Sequence, residues 1–467
     1  MKRIAFFCIP AHGHTNPMLP VAAELVKRGN EVRFYSFNEF EKKILPTGAE
    51  FVSCDAFLPE ITEEEKERLK NISTTEMTIQ DIRITVKMTD FIEKEFQNFR
   101  PDVIYTDSAC FWGKLNAWKY DIPMVVSTST FAFNQMSSKY MKMSPAELSD
   151  MIFGLSKISK ELKTLKPYGY KVKSAMQLVT SDNETDSIVY TTESFQPCSE
   201  SFTDHYAFVG PSVFSKAMPD KKKERPLVYI SMGTVINERP DFYNKCIDAL
   251  KDMDVDVIIS CGNAMDISLL GTLPDNVNVY PYVNQLDVLS RTDVFITHCG
   301  MNSVSESLYM ASPMVLYPQT SEQYAVARRA AEIGAGEMLK DDSAEGIKKA
   351  VETILSGKGY AEAAQKCCDD FRSAPGTAGA ADFILNAPHK EGGMDILKEL
   401  SKTNIVFQIV YWLIVIVLIC LFGFLITWKF VWIIGVAAGV FTRPIGNIVQ
   451  NIRYKQLAGI KREQRNK

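Results

Sequence analysis

The sequence predicts an α/β protein with two doubly wound domains that face a cleft, followed by an apolar helical segment at the C-terminus. Three observations lead to this prediction. The chain has 467 residues, and a single hydrophobic core rarely grows beyond about 250–300 residues. Short β-rich runs alternate with helical patterns in each half of the chain, as in parallel sheets with crossover helices. A nearly uninterrupted apolar run covers residues 405–428.

The composition excludes several classes of protein. Hydrophobic residues make up 46% of the chain and charged residues 23%, so the chain is neither disordered nor fibrous. Lysine and arginine number 52 against 56 aspartates and glutamates, which gives a net charge of -4. This balance argues against nucleic acid as a partner, because a nucleic-acid-binding protein presents a basic face. The cysteines form no C-x-x-C pair, which is typical of reduced thiols rather than of a disulfide framework.

Residues 1–210 are predicted to form the first domain. The apolar run at residues 4–9 is too short for a signal peptide and is broken by Pro10, so we interpret it as the first strand of a body that stays in the cytoplasm. Two further stretches, 57–99 and 137–166, are expected to hold helices beside the cleft. The remaining elements predicted in this half are strands at 31–36, 102–106 and 124–127 and helices at 16–28 and 112–120.

Residues 211–225, which contain three consecutive lysines, are the predicted linker, and residues 226–390 are predicted to form the second domain. Ligands of doubly wound sheets bind beyond the carboxyl ends of the strands, so we expect the binding cleft between the two domains. The elements predicted in the second domain are strands at 227–231, 255–260, 277–280, 294–297 and 314–317 and helices at 239–251, 285–289, 302–310 and 322–333.

The C-terminal part is predicted to be a linker at 391–404, a membrane segment at 405–449 and a basic tail at 450–467. About 20 apolar residues span a bilayer core, so residues 405–428 are long enough to cross. The tail carries a net charge of +5, which leaves -9 for the rest of the chain. A basic end favours the cytoplasmic side, and the preferred topology is therefore a helical hairpin that turns near Lys429. The alternatives are a single crossing with the tail outside and a second stretch lying in the interface.

Ionisable side chains follow two of the predicted strands in the first half and one in the second. His14 and His298 each lie in a loop after a strand, where an imidazole can act as a general base near neutral pH. Asp107 follows the strand at 102–106 and could reach His14 to orient its ring. The alternative for Asp107 is a carboxylate that caps the next helix.

The segment around His298 has the features of an anion site. The run Thr297-His298-Cys299-Gly300-Met301-Asn302-Ser303 leads into a helix that contains Glu306. Gly300 permits a tight turn, and the free N–H groups at the start of the helix suit a diphosphate. Ser231, Gly233 and Thr234 form a second loop of small residues after the strand at 227–231. No cluster has metal-ligand spacing, so no metal site is predicted.

These motifs resemble those of the UDP-glycosyltransferases of glycosyltransferase family 1, which have the GT-B fold, and in particular the bacterial macrolide-type branch. The resemblance covers roughly residues 1–390. The matching segments are Gly13-His14-Thr15-Asn16-Pro17, residues 101–107, Tyr282-Val283-Asn284-Gln285, the run from His298 to Ser303 with Glu306, and residues 318–323.

The resemblance implies a role for each matching residue. His14 would deprotonate an acceptor hydroxyl and Asp107 would orient it. Tyr282 would stack on the uracil ring, and Gln285 would contact the base. The other donor-binding residues that it implies are His298, Gly300, Asn302 and Ser303 at the diphosphate, Glu306 at the ribose, and Glu322 and Gln323 at the sugar hydroxyls. Ser231, Gly233 and Thr234 are expected beside the phosphates because their loop, like that of His298, follows a strand.

The sequence departs from the family pattern at three places. Cys299 stands where the family has the first glycine of H-G-G, and it is expected to add a side chain near the diphosphate. Asn284 replaces the proline before Gln285. The membrane segment is absent from the soluble bacterial enzymes that the chain otherwise resembles.

The expected function is metal-independent, inverting transfer of a sugar, expected to be glucose, from a UDP-sugar to a hydroxyl of a small hydrophobic acceptor. No cofactor is expected, since the UDP-sugar is a co-substrate, and the expected partners are this donor, the acceptor and a lipid bilayer. One alternative is a dedicated membrane-lipid or sterol glycosyltransferase. The other is a nucleotide-sugar-binding partner protein that has lost catalysis.

Overall fold

The computed structural model describes residues 1–58, 73–172, 178, 183–213, 218–221, 224–234, 236–390, 394–425 and 431–465. The chain divides into two compact units. The larger unit comprises Met1–Pro197 and Tyr206–His389, and the smaller comprises Cys198–His205 and Lys390–Lys467. The smaller unit is therefore discontinuous, because it takes a short segment from the middle of the chain.

The first sheet of the larger unit has seven parallel strands in the order β3-β2-β1-β4-β5-β6-β7. Its strands are β1 (Arg3–Phe7), β2 (Glu31–Ser36), β3 (Glu50–Ser53), β4 (Val103–Asp107), β5 (Met124–Thr128), β6 (Ser187–Val189) and β7 (Tyr206–Phe208). The central strand β4 is buried over its whole length. Parallel strands covered on both faces read as continuous apolar runs, and for this reason β1 and β4 are recognisable in the sequence.

The second sheet of the larger unit has six parallel strands in the order β10-β9-β8-β11-β12-β13. Its strands are β8 (Leu227–Ser231), β9 (Asp256–Ser260), β10 (Val277–Tyr280), β11 (Val294–Thr297), β12 (Met314–Leu316) and β13 (Gly336–Met338). In both sheets the strand order reverses beside the first strand of that sheet. Ligands of doubly wound sheets bind at such a reversal, beyond the carboxyl ends of the strands.

Helices connect these strands. Those of the larger unit are α1 (His12–Lys27), α2 (Glu41–Ile44), α3 (Thr74–Asn98), α4 (Phe111–Tyr120), α5 (Pro145–Glu161), α6 (Pro240–Leu250), α7 (Gln285–Leu289), α8 (Met301–Tyr309), α9 (Ser321–Glu332), α10 (Ala344–Ser356), α11 (Lys358–Ser373) and α12 (Gly376–Leu385). The last of these, α12, packs against α1, where Arg28 forms an ion pair with Asp382 at 2.6 Å. The chain thus returns to the first sheet after completing the second.

Most predicted elements are confirmed, and the differences are local. The first helix begins at His12 rather than at residue 16, so His14 lies in a helical turn and not in a loop. Four short strands, β3, β6, β7 and β13, were not predicted. Of the helical stretch predicted at 57–99, the part at 59–72 lies outside the described residues, as do Lys222 and Lys223 of the predicted linker.

The smaller unit contains two long helices, α13 (Ile396–Leu425) and α14 (Val431–Arg465). They pack antiparallel. The Tyr411 hydroxyl donates to the Ala438 carbonyl at 2.8 Å, whereas a Cβ on Gly446 would lie 3.2 Å from the Phe407 ring. Tyr411 of α13 thus contacts residue 438 of α14, whereas Phe407, which is earlier on α13, lies beside residue 446, which is later on α14. The two helices therefore run in opposite directions, as in a hairpin. The turn predicted near Lys429 lies outside the described residues.

The segment Cys198–His205 is held by the end of α14. The Lys461 ammonium, which is 4% exposed, donates to the Phe202 carbonyl at 2.7 Å. The Tyr454 hydroxyl donates to the Glu200 carboxylate at 3.2 Å, and Arg462 forms an ion pair with the same carboxylate. Two cationic side chains of the predicted basic tail, Lys461 and Arg462, therefore bind the segment Cys198–His205 within the smaller unit.

The start of α13 supplies a helix that could cross a membrane. Within the described residues, Ile396–Leu418 is long and apolar enough to do so, with a mean hydropathy of 1.7. Its apolar side chains are largely exposed in the isolated chain, for example Ile405 at 57% and Leu413 at 57%.

Candidate active site

His14 and Asp107 form a close pair at the carboxyl ends of β1 and β4. The Asp107 Oδ2 atom lies 2.8 Å from His14 Nδ1, and the Ser129 hydroxyl lies 3.1 Å from the same nitrogen. Asp107 is fully buried, and its Oδ1 atom accepts from the Ala109 N–H at 2.8 Å. Asp107 thus binds His14 and also holds the turn before α4. It does not cap that helix, because the N-cap residue is Cys110 and no side chain of a described residue forms a cap hydrogen bond there.

The charges around His14 make its ring more basic. Desolvation alone would lower the pKa of His14, but the charge and hydrogen bond of Asp107, with the charge of Glu322, raise it above its usual value. A carboxylate that binds Nδ1 fixes the tautomer and leaves Nε2 for chemistry. The pair therefore has the arrangement of a general base with its orienting carboxylate.

A cavity of about 440 Å³ lies beside this pair. His14 from α1 and Glu322 from α9 both line it, so the two sheets contribute to one site. Its walls mix aromatic and hydroxyl side chains, namely Phe111, Trp118, Phe131, Phe133, Thr74, Thr78, Thr128, Ser129 and Thr130. Such a lining suits an organic molecule that is largely apolar and carries several oxygen atoms.

A direct hydrogen bond joins the two halves of the site. The Asn302 amide, in the first turn of α8, donates to the Gly13 carbonyl at 3.2 Å. Helix α1 contains Pro17, and a proline has no N–H to give to the carbonyl four residues earlier. Pro17 therefore leaves the Gly13 carbonyl available to Asn302.

His298 lies between two glycines. A Cβ on Gly233 would come within 2.5 Å of the His298 ring, and one on Gly300 would come within 2.6 Å of its Nε2 atom. Gly233 also has a φ of 80°, in the left-handed region that favours glycine. Burial lowers the pKa of His298 to about 4, although the Ser231 backbone acts in the opposite direction. The ring is consequently neutral at physiological pH.

Gln285 and Glu306 form a second polar pair beside α8. The Gln285 amide donates to the Glu306 carboxylate at 2.6 Å, and the Tyr229 hydroxyl donates to Gln285 Oε1 at 3.2 Å. Ser303 lies at 3.5 Å from the same amide. Burial raises the pKa of Glu306, and the bond to Gln285 partly offsets this. The structure thus brings these three predicted donor residues together.

The remaining predicted donor residues differ in their contacts and exposure. Ser231 ends β8, and its hydroxyl accepts from the Gly233 N–H at 3.4 Å, while Thr234 is exposed. Tyr282 is 76% exposed, so its ring is open to stacking. The Gln323 side chain accepts from the Gln319 N–H at 2.8 Å in the turn before α9.

Cys299 and Asn284 are the two departures from the family pattern beside the donor residues, and neither removes a polar group from the site. Cys299 has a φ of 68°, which explains why glycine suits this position. Its thiol is fully buried and donates to the Thr297 carbonyl at 3.3 Å. The expected effect of this side chain on the diphosphate stays a prediction. Asn284 precedes α7 with a φ of -70°, a value that proline also adopts.

Two contributors to the site were not predicted. Ser129, whose hydroxyl contacts His14, follows β5, and its position after a strand in the run Ser127-Thr128-Ser129-Thr130 was the available signal. Asn237 donates to the Gly233 carbonyl at 3.0 Å and holds that loop. Nothing in its sequence context distinguishes it from other loop asparagines. Within the described residues, no group of three or more His, Cys, Asp or Glu side chains could hold a metal ion.

Comparison with known proteins places this arrangement in a family. The model of the UDP-glucoronosyl and UDP-glucosyl transferase family matches residues 212–371. A Bacillus subtilis protein named uncharacterized UDP-glucosyltransferase YojK is 31% identical over 399 residues, which cover 83% of this chain and 98% of that protein. Demethyllactenocin mycarosyltransferase of Streptomyces fradiae is 30% identical over 402 residues, or 82% of this chain and 86% of that protein.

A solved structure confirms the fold. The calicheamicin glycosyltransferase CalG4 superposes with a TM-score of 0.68 at 25% identity, and the match covers 83% of this chain and 100% of that one. The two parallel sheets thus form a GT-B fold. Because the likeness to YojK extends over almost all of that protein, the chain belongs to the UDP-glycosyltransferase family and is a glycosyltransferase.

Proposed function

We propose that the enzyme transfers a sugar from a UDP-sugar to a hydroxyl of a small hydrophobic acceptor, with inversion and without a metal ion. The observation that carries this proposal is the His14–Asp107 pair at a cavity that Glu322 of the second sheet also lines. A base beside an organic-sized cavity supports an acceptor at His14. The glycine-flanked His298 and the start of α8 support a donor diphosphate on the other side.

The reaction follows from these positions. His14 Nε2 takes the proton of the acceptor hydroxyl, while the Nδ1–H keeps its proton and its hydrogen bond to Asp107, whose charge stabilises the imidazolium that forms. The acceptor oxygen forms a bond with the anomeric carbon from the face opposite the nucleotide. The bond between that carbon and the β-phosphate oxygen breaks, and UDP leaves. Inversion is the outcome of this single displacement.

The leaving group acquires negative charge, which the second sheet can stabilise. Helix α8 begins at Met301, directly after Gly300, and its free N–H groups carry partial positive charge. His298 is neutral and is proposed to donate a hydrogen bond, rather than a full charge, to the leaving phosphate. Such oriented donors lower the barrier by stabilising charge as it develops. Tyr282 and Gln285 are proposed to hold the uracil, and Glu306 the ribose.

The sugar is proposed to be glucose, held by Glu322 and Gln323. The relatives named UDP-glucosyltransferases support this choice. A relative named a mycarosyltransferase supports a small natural-product acceptor in the same way. Incubation of the solubilised protein with several UDP-sugars and a pool of hydrophobic acceptors, read by mass, identifies both substrates.

The base is tested by His14→Ala, which should abolish transfer and leave UDP affinity unchanged, because the diphosphate contacts lie on the second sheet. His12→Ala is the matched control, since His12 lies two residues earlier on α1, is half exposed and contacts Lys43. Normal turnover of His14→Ala would refute the mechanism. UDP-sugar binding by the native protein without transfer or hydrolysis would instead identify a binding protein that has lost catalysis.

We further propose that α13 and α14 anchor the enzyme in a membrane as a hairpin, with the body in the cytoplasm. The exposed apolar side chains of α13 and the antiparallel packing of the two helices support this. Anchoring also favours an acceptor that partitions into lipid, which keeps a membrane-lipid or sterol acceptor among the candidates.

The topology is tested with a C-terminal tag on intact cells treated with protease. A hairpin predicts that the tag is protected until the membrane is opened, because both chain ends lie inside. A tag that is digested on intact cells would show a single crossing. Recovery of the protein in the fraction released by alkaline carbonate would contradict anchoring altogether.

A further inference from the structure

Helix α5 presents apolar side chains to solvent. Leu148, Ile152 and Phe153 are 46%, 56% and 70% exposed. These residues lie within two turns of one helix, whose other side packs against α3. Large apolar side chains grouped in this way on a folded surface mark a place of interaction rather than random exposure.

The charges that accompany these side chains are positive. Lys157, Lys160 and Lys163 follow them and are exposed. Within the part of the chain that the structure describes, none of these lysines forms an ion pair. We call the apolar and basic residues together, Leu148, Ile152, Phe153, Lys157, Lys160 and Lys163, the α5 surface.

The carboxylates of α5 are occupied by internal contacts. Glu147 accepts from the backbone N–H at the start of the helix at 2.6 Å. Asp150 accepts from the Thr75 N–H at 3.1 Å, and Glu161 pairs with Arg83 at 2.8 Å. The charge that α5 offers to a partner is therefore almost entirely positive.

The α5 surface lies next to the acceptor cavity. Helix α5 packs against the first turn of α3, where the Thr75 hydroxyl donates to the Asp150 carbonyl at 3.2 Å. Thr74 and Thr78, from the same stretch of α3, line the cavity, as does Met141, just before α5. A partner on this surface would therefore lie near the cavity.

We propose that the α5 surface docks on the anionic lipid surface of a membrane. This rests on the proposed membrane attachment and deepens the proposed function, since acceptors would enter the cavity from that lipid. An apolar helical face with a lysine border is the pattern that inserts at an interface of anionic headgroups. A second copy fits less well, because a symmetric contact would bring lysines against lysines.

The test uses the full chain in nanodiscs, with photoreactive benzoylphenylalanine in place of Phe153. Irradiation should give lipid adducts at this position, and more in discs that contain phosphatidylglycerol than in discs of phosphatidylcholine alone. The same residue in place of Leu269, which is 56% exposed elsewhere on the larger unit, should give none. Adducts no more frequent than at Leu269, or adducts only with protein, would overturn the proposal.

Charge variants separate this contact from anchoring by the C-terminal helices. K157E/K160E/K163E should reduce the lipid adducts severalfold, whereas K348E/K349E/K358E, at exposed lysines on the second sheet's helices, should not. Turnover of a water-soluble acceptor in the same discs is measured in parallel. Normal turnover without adducts would overturn docking alone, and adducts without turnover would contradict the proposed function instead.

Discussion

In the proposed mechanism His14 acts through Nε2, because Asp107 binds the other ring nitrogen, Nδ1. As a base it must be neutral, so activity should rise with pH through its pKa, which the carboxylates raise above the usual value. Asp107→Asn removes this charge, and the rise in kcat/KM should move to lower pH. The plateau should fall by about 10³–10⁴-fold, the scale for loss of an orienting carboxylate. A pH–rate profile of the two proteins measures both effects.

Ser129→Ala is the matched control for this prediction. Ser129 contacts the same nitrogen at 3.1 Å but carries no charge, so its loss should leave the midpoint of the profile nearly unchanged. An unchanged midpoint in Asp107→Asn would mean that another group controls the pH dependence.

The close fit of Gly300 against His298 predicts a steric effect on the donor. Gly300 has a φ of -61°, so Gly300→Ala introduces no backbone strain, but the new Cβ would lie 2.6 Å from His298 Nε2. The displaced ring should weaken UDP binding by about tenfold, or roughly 1.4 kcal/mol. Titration calorimetry with UDP measures this. Gly359→Ala, where a Cβ meets open space, should leave the affinity unchanged.

At the scale of one element, α1 shows why a proline stands inside a helix. Pro17 leaves the Gly13 carbonyl for Asn302 of the other sheet. Pro17→Ala restores a competing N–H, so the donor KM should rise severalfold. Pro20→Ala removes the other proline of α1 and should not affect KM. Steady-state kinetics of the two variants compare them, and equal KM values would show that the Gly13 contact does not affect the donor.

The same helix shows where prediction from the sequence stops. The sequence predicted a helix that starts at residue 16, whereas α1 begins at His12. The short strands β6 and β13 have three residues each, and such strands form because a neighbouring strand pairs with them. A local pattern of this length is too weak to predict them.

In the whole molecule, the two-sheet architecture was predictable because each sheet is built from local alternation of strands and helices. The positions of His14, Asp107 and His298 were predictable for the same reason, since each stands at the carboxyl end of a strand. The bond from Asn302 to Gly13 and the burial of His298 were not. They depend on the approach of distant segments, which no local pattern encodes.

The discontinuous smaller unit makes a prediction for the whole chain. Tyr454→Phe with Lys461→Ala removes two hydrogen bonds to the segment Cys198–His205. This segment should then open more often, because local opening depends on such contacts. Cleavage after Glu200 by a glutamate-specific protease, followed by mass spectrometry, should become severalfold faster. Lys455→Ala, at an exposed position of α14, is the control, and equal cleavage in all three proteins would contradict the prediction.

The distance in sequence between these partners also orders events during synthesis. Glu200 and Phe202 leave the ribosome more than 250 residues before Tyr454 and Lys461. Domains fold as units while the chain grows, so both sheets can form while Cys198–His205 still lacks the end of α14. The segment can be completed only after Tyr454 and Lys461 have been made and α13 and α14 have paired. A nascent chain that stalls within α13 would therefore expose this segment to the quality-control machinery of the cell, although His14, Asp107 and His298 have already been made.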